Sequence, residues 1–243
     1  MTSSTPPQQQ QQQQQQQLHP DPPLSTSSHP PSDRPDATHT AQNSGFSAPS
    51  ASSTAELSSL KVDLRRALRR FPDFPQPGIL FEDILPIFAN PSLHAELIRA
   101  LELHILSSST GAKKPDIIVG LEARGFLFGP TLALRLGASF VPLRKKGKLP
   151  GPTVTATYKK EYGEDVFEMQ SDAIKPGQTV LVVDDLIATG GSAACAEQLV
   201  SKLGGVLIGH IFIIELGFLK GRDKLNAPVY TLLNHQDGTS SPE

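Results

Sequence analysis

The segment Val180-Leu-Val-Val-Asp-Asp-Leu-Ile-Ala-Thr-Gly-Gly-Ser192 holds the residue types and spacing best suited to chemistry in this chain. Four apolar residues bring the chain to the carboxyl end of a buried strand, where ligands of open α/β sheets collect. Two adjacent carboxylates, Asp184 and Asp185, follow where the strand leaves the core, and then a small-residue loop opens a helix. Ala188, Thr189, Gly190, Gly191 and Ser192 can turn backbone N–H groups and hydroxyls toward one phosphate, with the positive end of the helix dipole behind them. Carboxylates aimed into that cradle would repel the anion, so they must serve a neutral or cationic group. The vicinal hydroxyls of a ribose, one sugar away from a 5'-phosphate, suit a pair of acceptors, with a hydrated Mg2+ nearby. The alternative is a capped strand-to-helix turn carrying two solvated acids.

The elements that must position these groups follow from periodicity. Leu57, Leu60, Leu64, Ala67 and Phe71 recur at spacings of three and four and predict a helix from about Ser58 to Arg70. Phe71-Pro-Asp-Phe-Pro-Gln-Pro-Gly78 stops it, because three prolines and a glycine keep that stretch extended or turning. Asn90-Pro91 reads as N-cap and first residue of a second helix, with Leu93, Leu97, Ala100, Leu101 and Ile105 as its apolar stripe. From Asp116 a strand at Ile117–Val119, a helix over Gly125–Leu136 and a strand at Ser139–Leu143 form a βαβ unit. Thr153–Tyr158 and Val166–Met169 alternate like the arms of a hairpin, polar enough to leave the core as a flap. Val180–Val183, a helix over Ser192–Leu203, Val206–Leu216 and a last strand at Val229–Leu233 complete an alternation that predicts parallel pairing.

Composition sets the limits of this domain. The 243 residues contain 22 prolines, of which nine fall in the first 56, together with the glutamine run Gln8–Gln17 and almost no large apolar residues. Such a segment cannot bury enough surface to offset its chain entropy, so residues 1–56 read as a disordered tail. The folded domain is expected over 57–235, with a polar tail over 236–243. Formal net charge is −2, too close to neutral for bulk attraction to nucleic acid. The single cysteine, Cys195, rules out an intramolecular disulfide and reads as small core filler. The seven histidines have no metal-ligand spacing. No apolar run reaches the length of a membrane span, and the amino-terminal segment has neither a secretory nor a mitochondrial signature, which leaves the cytoplasm as the expected location and no membrane as partner.

These residues carry a family resemblance. The 180–192 segment resembles the phosphoribosyl pyrophosphate-binding motif of type I phosphoribosyltransferases. Around it, Phe71-Pro-Asp-Phe-Pro-x-Pro-Gly78, Gly120-Leu-Glu-Ala-Arg-Gly-Phe-Leu-Phe-Gly-Pro130, Arg144-Lys-Lys-Gly-Lys-Leu-Pro-Gly-Pro152 and Glu161-Tyr-Gly163 are similar to the adenine-using branch of that family. The resemblance runs from about Leu57 to Leu233. It implies an α/β fold of the type I phosphoribosyltransferase class: a twisted, mainly parallel sheet flanked by helices, with a small hood and a flexible hairpin flap. The implied reaction turns adenine and phosphoribosyl pyrophosphate into AMP and pyrophosphate, with Mg2+ as cofactor and a homodimer as the assembly.

Carried over position by position, the resemblance gives Asp184 and Asp185 the ribose hydroxyls and Ala188–Ser192 the 5'-phosphate. Leu80 would meet adenine through its backbone and Leu216 would pack on the ring. Gly120 to Gly125 would be the pyrophosphate loop, binding through Glu122, Ala123 and Arg124, with Arg144, Lys145 and Lys148 adding charge. A fixed guanidinium that meets pyrophosphate more strongly as it departs lowers the barrier, which suits Arg124. Its alternative, a solvated residue at a helix start, sets a positive charge against the helix dipole. Glu161, beside Tyr162 at the flap tip, is the expected acceptor of the adenine N9 proton and would favour the cation-like anomeric carbon. One departure from the pattern is Glu82, which follows Phe81 where some members have Arg. Two other readings remain open at this point: a regulator of the same fold that senses phosphoribosyl pyrophosphate, and a sister transferase using another base.

Overall fold

Alternation of burial along the central strands decides the architecture. The computed structural model describes residues 51–233 apart from 75–76, 108–113 and 160–162. In β3 (Ile117–Leu121) and β7 (Thr179–Ile187), Ile117, Val119, Leu121, Val180 and Val182 face one layer, while Ile118, Leu181 and Val183 face the other. A strand buried on both faces needs cover on both, and helices supply it. On one side lie α1 (Ala51–Ala67), α3 (Pro91–Ser107) and α4 (Gly129–Leu136), through Leu64, Leu97, Leu101, Leu132 and their neighbours. On the other lies α5 (Gly191–Lys202), through Cys195, Ala196, Leu199 and Val200.

The main sheet adds β4 (Ser139–Lys145), β5 (Thr153–Lys159), β6 (Glu164–Gln170), β8 (Val206–Glu215) and β9 (Val229–Leu233), in the order β5-β6-β4-β3-β7-β8-β9. The pairs β4-β3, β3-β7, β7-β8 and β8-β9 are parallel, and the β5-β6 hairpin attaches antiparallel to the end of β4. From β3 the chain crosses over α4 to β4 on one side; from β7 it crosses over α5 to β8 on the other. The order reverses between β3 and β7, and a crevice opens at the carboxyl ends of two strands whose connections diverge.

Two small strands, β1 (Arg69–Phe71) and β2 (Phe81–Asp83), pair antiparallel and carry the proline-rich turn between them. Asp73 Oδ1 accepts from the Gly78 N–H at 2.7 Å, closing that turn. Asp83 Oδ1 accepts from the Leu85 N–H at 2.9 Å, just ahead of α2 (Leu85–Ala89), a short helix that apolar periodicity does not reveal.

The structure shifts several expected boundaries. The first helix starts at Ala51, not Ser58, and stops at Ala67, so the 1–56 limit of the tail falls inside α1. Its last six tail residues are drawn into the helix, where Glu56 pairs with Arg99 of α3 at 2.8 and 2.9 Å. Phe71, expected on the helical stripe, is an exposed strand residue instead. The remainder of that tail and the 236–243 tail lie outside the described residues. Asn90 caps α3 as expected, accepting from Ser92 N–H at 2.9 Å. The helix read as Gly125–Leu136 divides into a single 3-10 turn at Arg124–Phe126 and α4. Strand β7 runs past Val183 to Ile187, so the two aspartates sit on the strand itself.

Candidate active site

That extra length of β7 creates the site. Strand β3 pairs with β7 only as far as Gly120 opposite Val183, whereas β8 continues beside β7 to Glu215 opposite Ile187. Beyond Val183 one edge of β7 is therefore open, and Asp184 to Ile187 line the opening. Asp185 is buried at 6 % exposure and Asp184 is partly buried. Burial pushes both carboxyls above the ordinary carboxylate range, Asp184 the further because the Asp185 charge adds to it. Arg124 opposes this, its Nε lying 2.5 Å from Asp185 Oδ2. A buried acid pair of this kind is relieved by hydroxyl donors or by a hydrated cation.

Two cavities meet at this strand end, with Leu186 in the wall of each. The first, about 240 Å³, is lined by Asp184 and by every residue from Ala188 to Ser192. Gly190 holds φ +75°, a left-handed conformation that L side chains rarely adopt, and α5 begins immediately after it with no side-chain cap. Helix-terminal N–H groups left without a side-chain cap are what an anionic ligand needs. Two neighbours press on this loop. The ring of Tyr158, from β5, lies where a Cβ on Gly191 would sit, and the Gly221 carbonyl lies where a Cβ on Gly190 would sit. Tyr158 Oη also reaches Thr189 Oγ1 and Lys224 Nζ, each at 3.4 Å.

The second cavity, about 440 Å³, is apolar, with Leu80, Phe81, Ile84, Ile214 and Leu216 in its walls and Arg124 and Asp185 where it approaches the acid pair. Phe74 and Phe81 close one side edge-to-face, ring centroids 5.1 Å apart. Leu80 and Leu216, distant in sequence, face the same space as expected. Glu82 reaches it too, but its carboxylate is engaged by Arg70 at 3.3 Å and Arg65 at 3.8 Å.

The remaining expected residues follow β3 and β4. Glu122 and Ala123 are joined by a cis peptide, and Arg124 follows, half-exposed. Gly125 allows this segment to lie on β7, since a Cβ there would stand 2.6 Å from the Val183 carbonyl oxygen. The Glu122 carboxylate binds Arg144 at 3.1 and 3.3 Å and the Lys145 N–H at 3.0 Å; Arg144 chiefly, then the Lys145 N–H, holds its pKa below the usual range. Arg144 is thus tied to the loop it was expected to assist. Lys145 Nζ lies 4.0 Å from Asp165. The Lys148 loop is pinned by buried Glu168, which accepts from the Lys148 and Leu149 N–H groups at 2.8 Å. Glu161 and Tyr162 lie outside the described residues.

Sequence reasoning passed over Tyr158, Glu168, Gly221, Arg222 and Lys224. Only the proximity of Tyr158 to the hairpin tip offered a signal; the others act through contacts made across the chain. Among the described residues no group of three or more His, Cys, Asp or Glu is placed to hold a metal ion.

Comparison with known proteins agrees with this geometry. Residues 86–232 match the family model described as Phosphoribosyl transferase domain. The adenine phosphoribosyltransferase of Yarrowia lipolytica is 65 % identical over 181 residues, covering 74 % of this chain and 99 % of that protein. Adenine phosphoribosyltransferase 1 of Saccharomyces cerevisiae is 59 % identical over 180 residues, 74 % and 96 % of the two chains. A crystal structure of the Saccharomyces cerevisiae enzyme, complexed with an imino-altritol bisphosphate and adenine, superposes with a TM-score of 0.70 at 58 % identity, covering 72 % of this chain and 99 % of that one. The Trypanosoma brucei enzyme in complex with AMP, pyrophosphate and ribose-5-phosphate gives 0.64 at 26 % identity, covering 75 % and 84 %. A family model matching residues 86–232, and identities of 59 and 65 % over almost the whole length of two such enzymes, mean that the chain belongs to the adenine phosphoribosyltransferases of the phosphoribosyl transferase domain family.

Proposed function

We propose that the chain catalyses purine salvage, transferring the 5-phosphoribosyl group from phosphoribosyl pyrophosphate to adenine to give AMP and pyrophosphate. The observation that carries this is the shared Leu186 wall. It sets an apolar slot of the size a base requires beside a phosphate cradle, with Asp184 and Asp185 at the junction where a ribose would lie. Asp184 and Asp185 accept from the ribose hydroxyls, and Ala188 to Ser192 hold the 5'-phosphate through the uncapped start of α5. The base lies between Leu80 and Leu216. Glu122, Ala123 and Arg124 border the pyrophosphate, and Arg144, Lys145 and Lys148 form the basic rim beyond.

In the reaction N9 of adenine forms a bond to the anomeric carbon while the bond from that carbon to pyrophosphate oxygen breaks and its electron pair leaves with pyrophosphate. Arg124 meets the negative charge that grows on the leaving group. The N9 proton passes to the Glu161 carboxylate, an assignment that rests on the Glu161-Tyr-Gly163 resemblance, with Tyr162 beside it on the flap. Mg2+ fits the acid pair through water, because a dication offsets the cost of two buried carboxylates; bound to substrate phosphates it would neutralise part of the leaving-group charge. The proposal places the enzyme in the cytoplasm, on the reading of the amino-terminal segment given above; no helix among the described residues is long and apolar enough to cross a membrane. A homodimer would cover Leu134, 82 % exposed on α4, and the neighbouring Leu127.

The test is to incubate the protein with phosphoribosyl pyrophosphate, Mg2+ and each of adenine, hypoxanthine, guanine and orotate, and to follow nucleotide and pyrophosphate release. AMP from adenine is the expected product. Turnover of another base alone would identify a sister transferase, and binding of phosphoribosyl pyrophosphate without turnover of any base would identify a sensor.

A further inference from the structure

Between β8 and β9 the chain makes a short turn, Gly221–Lys224, far in sequence from any residue of the phosphate cradle. Gly221 is buried with its backbone against the cradle: a Cβ added there would overlap the Ala188 carbonyl and come within 2.9 Å of Gly190 N. The reciprocal Cβ on Gly190 would overlap the Gly221 carbonyl. The cradle and the turn therefore press main chain against main chain at Gly190 and Gly221, with the Ile187 side chain beside Gly221 and the Tyr158 hydroxyl reaching both Thr189 and Lys224.

What fixes the turn is the next residue. Arg222 donates three bonds of 2.6 Å, from Nε to Glu215 Oε1, from Nη1 to the Val229 carbonyl and from Nη2 to Thr231 Oγ1. Thr231 in turn donates to Glu215 Oε2 at 3.1 Å. One guanidinium so ties the turn to the last residue of β8 and to two residues of β9. Glu215 is the residue paired with Ile187, immediately before the cradle. The planar donor fork can satisfy all three acceptors at once, which a single ammonium cannot.

We infer that Arg222 is a positioning residue for phosphate recognition: by locking Gly221 against Ala188 and Gly190 it holds the backbone N–H groups of the cradle at the geometry a 5'-phosphate requires. It touches no substrate and acts only through the turn. The ordinary explanation, a stitch that fastens an edge loop to the sheet, predicts loss of stability without loss of phosphate discrimination. The placement of Gly221 against the cradle distinguishes the two, since a backbone buttress is felt at the groups it supports. Displacements of about an ångström at such groups are enough to cost two orders of magnitude in a positioned reaction.

This inference rests on Ala188–Ser192 being the phosphate cradle, and the experiment separates the two claims. AMP and adenosine differ only by the 5'-phosphate, so the ratio of their affinities for the full chain, measured by titration calorimetry, reports the cradle. Arg222→Met and Gly221→Ala are expected to lower that ratio at least tenfold while adenosine affinity stays within about threefold. Arg222→Lys, which keeps the Glu215 pair and loses the fork, should fall between them and the unaltered protein. Should Arg222→Met fail to fold, Gly221→Ala and Arg222→Lys decide the matter. Folded variants whose ratio stays within twofold of the parent would overturn the inference, as would equal losses of AMP and adenosine affinity. If the unaltered protein binds AMP no better than adenosine, it is the cradle assignment itself that falls.

Discussion

The two cavities that meet at Leu186 are built by opposite means. The proposed phosphate cradle comes mainly from one stretch, Asp184 to Ser192, with Leu121, Tyr158, Asp165 and Phe212 completing the cavity, and its proposed working groups are main-chain N–H at the start of α5. Its tolerances are set by glycines pressed against Tyr158 and Gly221. The apolar slot comes from four separate segments, the stretch from Phe71 to Leu85, Arg124 after β3, the end of β7 and the end of β8 with Leu216 beyond it, and its walls are chiefly side chains. A backbone site is rigid and unforgiving of added atoms. A side-chain site can repack, and exchanges of similar volume there cost little.

The largest expected effect lies at the reacting bond, between the proposed positions of base and ribose. Glu161→Leu should lower kcat by roughly 10²- to 10⁴-fold with substrate binding within a few fold, the usual range for a positioned general base. Glu164→Leu, the same charge three residues on, should be much milder. Near-equal small effects would remove Glu161 from the mechanism.

Within the cradle, Gly190→Ala should cost about 10²-fold in kcat/KM for phosphoribosyl pyrophosphate, because the new methyl overlaps the Gly221 carbonyl and the residue must hold a positive φ. Adenine affinity measured alone should barely move; equal losses of both would show that the two cavities are not mechanically separate.

Asp184→Asn tests the junction. Losing charged acceptors of about 1.5–3 kcal/mol per bond should weaken use of phosphoribosyl pyrophosphate by roughly 10- to 150-fold. The same substitution should raise Tm. Because burial lifts the folded-state pKa above the ordinary 3.8, the folded protein binds more protons than the unfolded chain between those two values. Stability is full below that window and falls as pH rises through it. The parent should therefore lose stability across this range and the Asn variant much less. A lower Tm for Asp184→Asn would mean the acid is a stabilising turn residue.

In the slot, Leu216→Ala should raise KM for adenine several fold and Leu216→Met hardly at all, the tolerance expected of a side-chain wall. A Met variant as damaging as Gly190→Ala would erase the contrast between the two cavities. The smallest effect is expected from deletion of residues 1–50, which should leave activity within about twofold. Extending the deletion through Glu56 removes the pairing with Arg99 and should lower Tm while sparing turnover.

The cradle was legible because its signal is local. Apolar strand, acid pair and small-residue loop stand in contiguous order, and the period of each element can be read within ten residues. The same holds for the parallel α/β alternation, for the Asn90 cap and for the inward stripe of α5, where Cys195 is core filler as its surroundings suggested. Helix α2 was illegible because five residues carry too little periodicity. The true start of α1 was illegible for a related reason. Residues 51–56 are polar, and what recruits them is Arg99 on another helix.

By itself, then, the sequence determined the fold class and, through contiguous motifs, the family, and it placed the acid pair and the small-residue loop side by side, since each depends on neighbours along the chain. The tertiary structure alone decided that β7 is left open beyond Val183, that Asp185 pairs with Arg124, that Arg144 turns to Glu122, and that Gly221 backs the cradle. Those are contacts between segments 20 to 60 residues apart or more. No pattern of residue types records them, because they follow from where the sheet brings its strand ends together.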